Sequence, residues 1–395
     1  MKKLQFPKLS VPLLILGDNA SLQGGLSRSA RDIATLACTL PQFRVGFLGR
    51  GIGQNRKLPF ILYDYPEVGQ WGEGYIVRVW EDFSDGGPGI VLSTDDLSRR
   101  HWLVNEGGLP TDLAEFVSPA TRNHYTWAYV PVDSTGPNGQ TLPYAQRDCA
   151  SRYDRVLAAS EWGRNTLIAG GRADADWLPH GIWTDKFHPV TDSKKLLDWE
   201  GKIVVGTVMA NQSRKDYPAT FEAFAALRQH YGSKFRAWVH TDALIHYWSL
   251  PALAADYGLD NCLEVTDNCN DEQLALRYSG CDCTILPSAG EGFGFPIAES
   301  LACGTACIVT NYAAGPELVE PDCRVLPVTY RVDTMHNVLR AVLSGYAFAE
   351  AAKAQIEKKV VGREYESERL ASTVSHLDWN KLKVLWSRWL LAGLK

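Results

Sequence analysis

The sequence predicts an α/β protein made of two doubly wound domains. Three observations carry this prediction: the chain has 395 residues, short apolar strands alternate with helical patterns, and this alternation lapses once and restarts. One hydrophobic core rarely serves a chain of this length, so two domains are expected. Strands that alternate with helices favour parallel sheets covered on both faces.

The composition is that of a folded globular protein, with 45% hydrophobic residues, 22% charged residues and a net charge of −5. Residues 1–190 carry 19 Lys+Arg against 20 Asp+Glu, and the remainder carries 21 against 25. This balance argues mildly against nucleic acid as the main partner. Nine scattered cysteines without zinc spacing predict free thiols, no metal site and a cytoplasmic location.

The first half repeats a strand, a polar turn and a helix. The apolar run 11–16 is interpreted as a first strand, not a signal peptide, and 27–40 as a helix. Further strands are expected at 43–48, 75–80, 89–92, 127–132 and 155–159. After the lapse, strands are expected at 202–209, 235–240, 263–265, 283–286 and 306–310. The predicted domains are therefore 1–190 and 191–370.

The final segment, 371–395, is predicted to form a helix that crosses back to pack on the first domain. Its tryptophans and leucines recur at helical spacing, which usually marks a face that packs into a core. Basic residues on the same segment leave peripheral membrane contact as the alternative. No run approaches the roughly 20 apolar residues of a membrane span.

The loop after strand 283–286 carries the most informative pattern of the chain. Glu291 precedes two spaced glycines, Gly292 and Gly294, and Glu299 follows inside the helix that Pro296 begins. The glycines let backbone N–H groups approach a ligand, and carboxylates accept hydrogen bonds from sugar hydroxyls. Ligands bind at the carboxyl ends of parallel strands, so we expect this loop to line a central cleft that the two domains face.

Two further loops at strand ends are suited to anions. Arg214 and Lys215 follow strand 202–209, and the planar fork of an Arg and the point charge of a Lys are suited to bind phosphate. Gly24 and Gly25 follow the first strand and open a helix, an arrangement whose amides can bind phosphate. For Arg214 and Lys215 the alternative is a solvated charged loop, and for Gly24 and Gly25 it is a plain turn.

Residues 287–305, P-S-A-G-E-G-F-G-F-P-I-A-E-S-L-A-C-G-T, resemble the E-x7-E region of the retaining GT-B glycosyltransferases of family 4. The resemblance implies a GT-B fold of two Rossmann-like domains. It also implies that Glu291 contacts the donor sugar, that Glu299 binds the nucleotide ribose, and that amides near Phe293 and Gly294 face sugar and phosphates.

The resemblance extends to both strand-end loops. Arg214 and Lys215 match the family's cationic pair, although its commoner form places the Arg about five residues before the Lys. Gly24 and Gly25 match an N-terminal G-G element. The family places a His or Asp beside the transferred sugar where Asp133 stands, with a plain turn as the alternative. Further acceptor-side candidates are Asp95, Asp96 and His124.

The expected function is transfer of a hexose from a UDP- or GDP-linked donor to an acceptor hydroxyl, with retention at the anomeric carbon. By resemblance, the leaving phosphate takes the acceptor proton, and the nucleotide sugar is a co-substrate with no cofactor or metal. A modified base in DNA stays open as acceptor. A sugar-nucleotide epimerase and a non-catalytic sugar-binding protein are the rival functions. The acceptor and the oligomeric state cannot be read from the sequence.

Overall fold

The computed structural model describes residues 10–22, 24–53, 57–66, 71–358 and 363–394. The chain forms two compact units. The first comprises Met1–His180 together with Lys383–Lys395, and the second comprises Gly181–Leu382.

The first unit is built on a seven-stranded sheet of order β3-β2-β1-β4-β5-β6-β7, in which every neighbouring pair is parallel. An order that runs outward in both directions from β1 is that of a doubly wound sheet. The strands are β1 (Val11–Asp18), β2 (Phe43–Arg50), β3 (Ile61–Tyr65), β4 (Gly89–Ser93), β5 (His124–Val130), β6 (Arg155–Ala158) and β7 (Asp176–Trp177).

Within the described residues, five helices connect these strands: α1 (Gly25–Ala37), α2 (Ile76–Ser84), α3 (Thr111–Val117), α4 (Tyr144–Arg152) and α5 (Glu161–Ala169). The strand predicted at 75–80 is wrong, because this segment is the start of α2. Its apolar run is compatible with both the period of a strand and the period of a helix. The helix buries Ile76, Trp80 and Phe83, which are spaced four and three residues apart. The strand of this region is β3, which the sequence analysis missed.

The second unit repeats the same plan. Its six-stranded parallel sheet has the order β10-β9-β8-β11-β12-β13, again doubly wound. Its strands are β8 (Ile203–Val208), β9 (Phe235–His240), β10 (Leu263–Thr266), β11 (Cys283–Leu286), β12 (Cys307–Thr310) and β13 (Arg324–Val325). Two sheets of this kind confirm the predicted fold class.

The helices of the second unit connect and flank this sheet. They are α6 (Ser193–Leu196), α7 (Tyr217–Tyr231), α8 (Leu250–Asp256), α9 (Asp271–Gly280), α10 (Phe295–Ala302), α11 (Gly345–Lys358) and α12 (Arg363–Thr373). Helix α7 starts where the Asp216 carboxylate accepts from the Ala219 amide, and α9 starts at a capping box formed by Asn270 and Gln273.

An antiparallel hairpin follows β13 and was not predicted. Its strands are β14 (Thr329–Asp333) and β15 (Val338–Val342). The Ala341 amide donates a hydrogen bond of 3.2 Å to the Ala289 carbonyl. The Tyr312 hydroxyl donates to the Leu339 carbonyl at 3.1 Å. The hairpin is thereby attached to the loop that contains Glu291.

The last helix, α13 (Trp379–Ala392), ends with residues of the first unit. Trp386 meets Tyr129 edge-on, with ring centroids 4.8 Å apart, and Trp389 meets Trp127 at 5.3 Å. The Arg155 guanidinium donates to the Trp389 carbonyl. These tryptophans therefore pack within a core, as an apolar helical stripe usually does. Among the helices of the described ranges, none has the length and apolarity needed to cross a membrane.

Candidate active site

The candidate site lies where the strand order of the second sheet reverses, between β8 and β11. Loops on either side of such a point diverge to opposite faces and leave a crevice at the carboxyl ends of the strands. The loop after β8 contains Arg214 and Lys215, and the loop after β11 contains Glu291. The fold therefore brings together residues that are 76 and 77 positions apart in the sequence.

Main-chain hydrogen bonds tie these two loops together. The Ala289 amide donates to the Arg214 carbonyl at 2.8 Å, and the Asp216 amide donates to the Pro287 carbonyl at 3.0 Å. Lys215 and Ser288 form an isolated antiparallel bridge. A third loop joins them, because the Ala314 amide donates to the Glu291 carbonyl at 3.0 Å. The backbone at the site is thus held independently of any ligand.

Both predicted cations contact the predicted carboxylate. Arg214 Nη1 lies 3.2 Å from Glu291 Oε1, and Lys215 Nζ contacts the same oxygen. The side chains of Lys215 and Glu291 are only 6% and 11% exposed. Burial alone would raise the pKa of Glu291, but the charges of Lys215 and Arg214 lower it to about 2. The cluster of these three charges carries a net charge of +1 at neutral pH.

The loop ends at Gly294, where the backbone conformation favours glycine. Gly294 has φ of +93° and immediately precedes α10, a conformation that residues with a Cβ rarely adopt. A Cβ there would also lie 2.6 Å from Ile297 Cδ1. Gly292 and Phe293 are buried between Glu291 and the helix, and the Phe293 ring meets Phe295 edge-on at 5.1 Å. The first amides of α10 therefore begin directly after the charged cluster.

Glu299 lies just past the first turn of α10 and is 5% exposed. Its Oε2 accepts a hydrogen bond of 3.2 Å from the hydroxyl of Tyr278 on α9. Burial, together with the neighbouring Glu299 charge, raises the pKa of Tyr278 well above its usual value, so the phenol remains a donor. The sequence analysis did not single out Tyr278, since nothing local marks a helical tyrosine as a partner of this carboxylate.

In the first unit, Gly24 and Gly25 stand at the exposed start of α1. Gly24 has φ of +128°, and a Cβ at this position would meet no atom within 4 Å. Backbone conformation, not crowding, therefore favours glycine here. Asp133 follows β5, is partly exposed and accepts from the Ser134 hydroxyl at 2.8 Å. Asp96 accepts from the amide and hydroxyl of Ser98.

Two of the acceptor-side candidates, Asp95 and His124, lie in buried positions. The Asp95 side chain has no exposed surface, and it pairs with Arg99 at 3.1 Å and Arg100 at 3.2 Å. His124 begins β5, so it lies at the amino end of the strand, opposite the end where ligands bind. It is 1% exposed and stacks on Phe116 with centroids 4.3 Å apart. Both side chains are buried, and their acceptor-side roles stay predictions.

A family model described as Glycosyl transferases group 1 matches residues 191–359. O-antigen chain mannosyltransferase B of Escherichia coli is 30% identical over 295 residues, which cover 69% of this chain and 68% of that protein. MMP alpha-(1->4)-mannosyltransferase of Mycolicibacterium hassiacum is 32% identical over 93 residues, 23% of each chain. The serotype-specific mannosyltransferase WbdA of Escherichia coli is 30% identical over a stretch that covers 38% of this chain and 18% of that protein. This chain thus spans about a fifth of the length of the first curated relatives it matches.

Solved structures share the fold over nearly the whole chain at low identity. A sucrose-phosphate synthase of Thermosynechococcus elongatus covers 97% of this chain and all of its own, with a TM-score of 0.69 and 15% identity. Anabaena HepE, solved in complex with UDP-glucose, covers 96% of this chain and 99% of its own, with a TM-score of 0.70 and 15% identity. Together with the paired doubly wound sheets, these structures confirm the GT-B fold class. By the family model and the long match to the Escherichia coli enzyme, the chain belongs to the glycosyl transferases group 1 family.

Proposed function

We propose that this protein is a retaining glycosyltransferase that moves a hexose from a nucleoside diphosphate sugar to an acceptor hydroxyl on a glycan, lipid or small molecule. The observation that carries the proposal is the contact of Lys215 and Arg214 with Glu291 at the switch point of the second sheet. This cluster has two cations suited to the diphosphate half of a nucleotide sugar and one carboxylate suited to the sugar half.

The diphosphate half requires positive charge. When the bond to the sugar breaks, negative charge grows on the leaving phosphate, and fixed cations lower the free energy of that transition state. Arg214 offers a planar fork of N–H donors and Lys215 a compact charge. Because the cluster retains a net positive charge, it attracts a diphosphate even with Glu291 ionised.

The sugar half requires an acceptor of hydrogen bonds. With a pKa of about 2, Glu291 stays ionised throughout the working range of pH. We assign its carboxylate to the hydroxyls of the transferred sugar and Glu299 to the ribose. Gly292, Phe293 and Gly294 supply the amides near sugar and phosphates.

The acceptor side is assigned to the first unit. Asp96, after β4, retains a partly exposed carboxylate as the acceptor-side candidate. Asp133, after β5, is also partly exposed and is assigned to a hydroxyl of the transferred sugar or to orienting the acceptor. The exposed backbone of Gly24 and Gly25, after β1, is assigned to the departing diphosphate. These assignments follow the family's arrangement. The buried residues Asp95 and His124 stay acceptor-side candidates from the sequence alone.

The names of the relatives narrow the choice of hexose that the donor carries. The curated relatives considered above are named mannosyltransferases, whereas a structural neighbour was solved with UDP-glucose. We therefore place mannose first among the candidate hexoses, with glucose second. The cationic pair performs the role that a metal has in other glycosyltransferases.

A screen of GDP- and UDP-linked hexoses by thermal shift identifies the donor, and mass spectrometry of products formed with that donor and a panel of saccharide acceptors identifies the reaction. We expect one nucleotide sugar to raise Tm, a product one hexose heavier, and an anomeric NMR signal that matches the donor's configuration. Inversion at that carbon, or the absence of nucleotide-sugar binding, would contradict the proposal. Conversion of the donor without acceptor would indicate an epimerase.

A further inference from the structure

One peptide group at the site is fixed at both of its polar atoms. This is the peptide that joins Lys215 to Asp216. Its N–H donates to the Pro287 carbonyl at 3.0 Å. Its carbonyl oxygen accepts from Trp248 Nε1 at 3.0 Å and from the Tyr217 amide at 2.9 Å. Among these bonds, only the one from Trp248 comes from a side chain.

Trp248 belongs to the loop that leaves β9, which neighbours β8 in the sheet. We call residues 241–249 the β9 loop. Such a loop would be mobile without contacts, because it connects a strand to α8 with little regular structure of its own. Its conformation therefore depends on what holds it against the loop after β8.

The side chain of Asn211 is what holds the β9 loop. Asn211 is 1% exposed, and its amide nitrogen donates to the carbonyls of Ala243 at 3.0 Å and Trp248 at 2.8 Å. Its Oδ1 accepts from the Trp248 amide at 2.9 Å. The main-chain atoms of Asn211 add two bonds, to Asp242 Oδ1 and His246 Nδ1. Five bonds from one residue thus set the position of the indole.

These contacts form a continuous chain from Asn211 through Trp248 to the backbone of Lys215. The ammonium group of Lys215 is carried on a four-carbon stem that starts at this main chain, so a shift of the peptide moves the point from which the ammonium reaches Glu291. The carbonyl of the same residue is a partial negative charge. The indole N–H and the Tyr217 amide both donate to that oxygen, so together they hold the peptide in one orientation.

We propose that Trp248 is a positioning residue for Lys215 and that Asn211 fixes Trp248 in that role. The inference rests on the proposed function, in which the Lys215 ammonium binds the leaving diphosphate. It assigns to the β9 loop an effect on nucleotide binding and turnover, although the indole acts only through the main chain of Lys215.

The test is a double-mutant cycle on binding of the nucleoside diphosphate, measured by calorimetry with Trp248→Phe, Lys215→Ala and the double variant. Phenylalanine keeps an aromatic ring and removes the N–H. We expect Trp248→Phe to weaken binding threefold to tenfold in the otherwise unchanged protein. In the Lys215→Ala protein we expect it to have no further effect, because residues that act as a unit are non-additive.

Two matched variants complete the design. Trp386→Phe removes an indole N–H that donates to the Pro179 carbonyl in the first unit, and it should leave binding unchanged. Asn211→Asp keeps the oxygen that accepts from Trp248 and removes both N–H donors. It should weaken binding as Trp248→Phe does, and it serves as the second variant if Trp248→Phe does not fold.

Different outcomes would contradict the assignment of Lys215 and the positioning role of Trp248. If Lys215→Ala leaves nucleotide affinity intact, the assignment of Lys215 in the proposed function fails. If Lys215→Ala weakens binding but Trp248→Phe has no effect, or has the same effect in both backgrounds, the positioning role is overturned. Equal losses from Trp386→Phe would likewise overturn it, since they would reflect general loosening of the fold.

Discussion

Tyr278 and Glu299 form a buried hydrogen bond in which the phenol donates to the carboxylate at 3.2 Å. The two residues belong to α9 and α10, so the bond connects neighbouring helices at the carboxylate assigned to the ribose. A buried carboxylate that loses a donor retains the full cost of its desolvation. The phenol therefore affects both the stability of the unit and the orientation of Glu299.

Replacing Tyr278 with phenylalanine removes only this donor. We expect the free energy of unfolding to fall by about 1.5–3 kcal/mol, because the partner is charged and buried. We also expect nucleoside diphosphate to bind several-fold more weakly. Urea denaturation and calorimetry measure the two effects. Tyr65→Phe is the matched control, since this buried phenol pairs with Arg100 in the first unit; equal losses of nucleotide affinity in both variants would argue against the role of Tyr278.

Replacing Glu291 with glutamine keeps the shape of the side chain and removes its charge. We expect turnover to fall about a hundredfold or more, because the proposed function places this group against the transferred sugar, where charge develops. Steady-state kinetics with the identified donor measure the loss, and circular dichroism verifies the fold. Glu200→Gln, at an exposed turn before β8, should retain full activity. Near-normal rates in Glu291→Gln would remove this residue from the mechanism.

Activity is expected to survive chelation by EDTA. In the proposed function, Arg214 and Lys215 supply the positive charge that a metal would otherwise bring to the diphosphate. The measurement compares initial rates with and without EDTA, followed by titration of Mg²⁺ or Mn²⁺. A complete loss of activity that either ion restores would indicate a different arrangement for the leaving group.

Stability should fall as the pH is lowered from neutral, and His124 is one cause. Burial, with a contribution from the nearby Arg122 charge, lowers the pKa of His124 to about 3. The unfolded chain has an ordinary histidine pKa of about 6.5, so below that value it binds a proton that the folded protein does not. This contribution to stability is present above about pH 6.5 and is lost progressively toward pH 3.

The expected size is about 2 kcal/mol between neutral pH and pH 5. His124→Phe keeps an aromatic ring against Phe116 and removes the imidazole that titrates. Its unfolding free energy should depend less on pH over this interval than that of the unchanged protein. Denaturant titrations at the two pH values measure the difference, and identical pH dependence in both proteins would refute the assignment.

The sequence was most informative where the chemistry lies in one continuous segment. The loop from Pro287 to Glu299 could be predicted because its strand, glycines and helix start are adjacent in the chain. The pairing of Lys215 with Glu291 could be expected only by resemblance, since 76 positions separate them. Trp248 and Tyr278 could not be predicted, because spacing does not reveal which distant atom an indole or phenol will meet.

The wrongly predicted strand and the unexpected burial of two site candidates have equally local causes. The run 75–80 contains residues that suit a strand as well as a buried helix face, and only packing distinguishes the two. Asp95 and His124 are polar residues close to strand ends, which is where functional side chains collect. Their burial depends on Arg100 and on Phe116, whose positions the sequence does not disclose.

The hairpin of β14 and β15 has a practical consequence for spectroscopy. Its hydrogen bond to the loop containing Glu291 comes from the main-chain amide of Ala341. Replacing a side chain of the hairpin therefore leaves this donor in place. Met335, in the turn between the two strands, is 83% exposed. A dye coupled to a cysteine at this position would extend into solvent while its strand stays bonded to the loop. The hairpin is thus a natural place for a fluorescent reporter of nucleotide arrival.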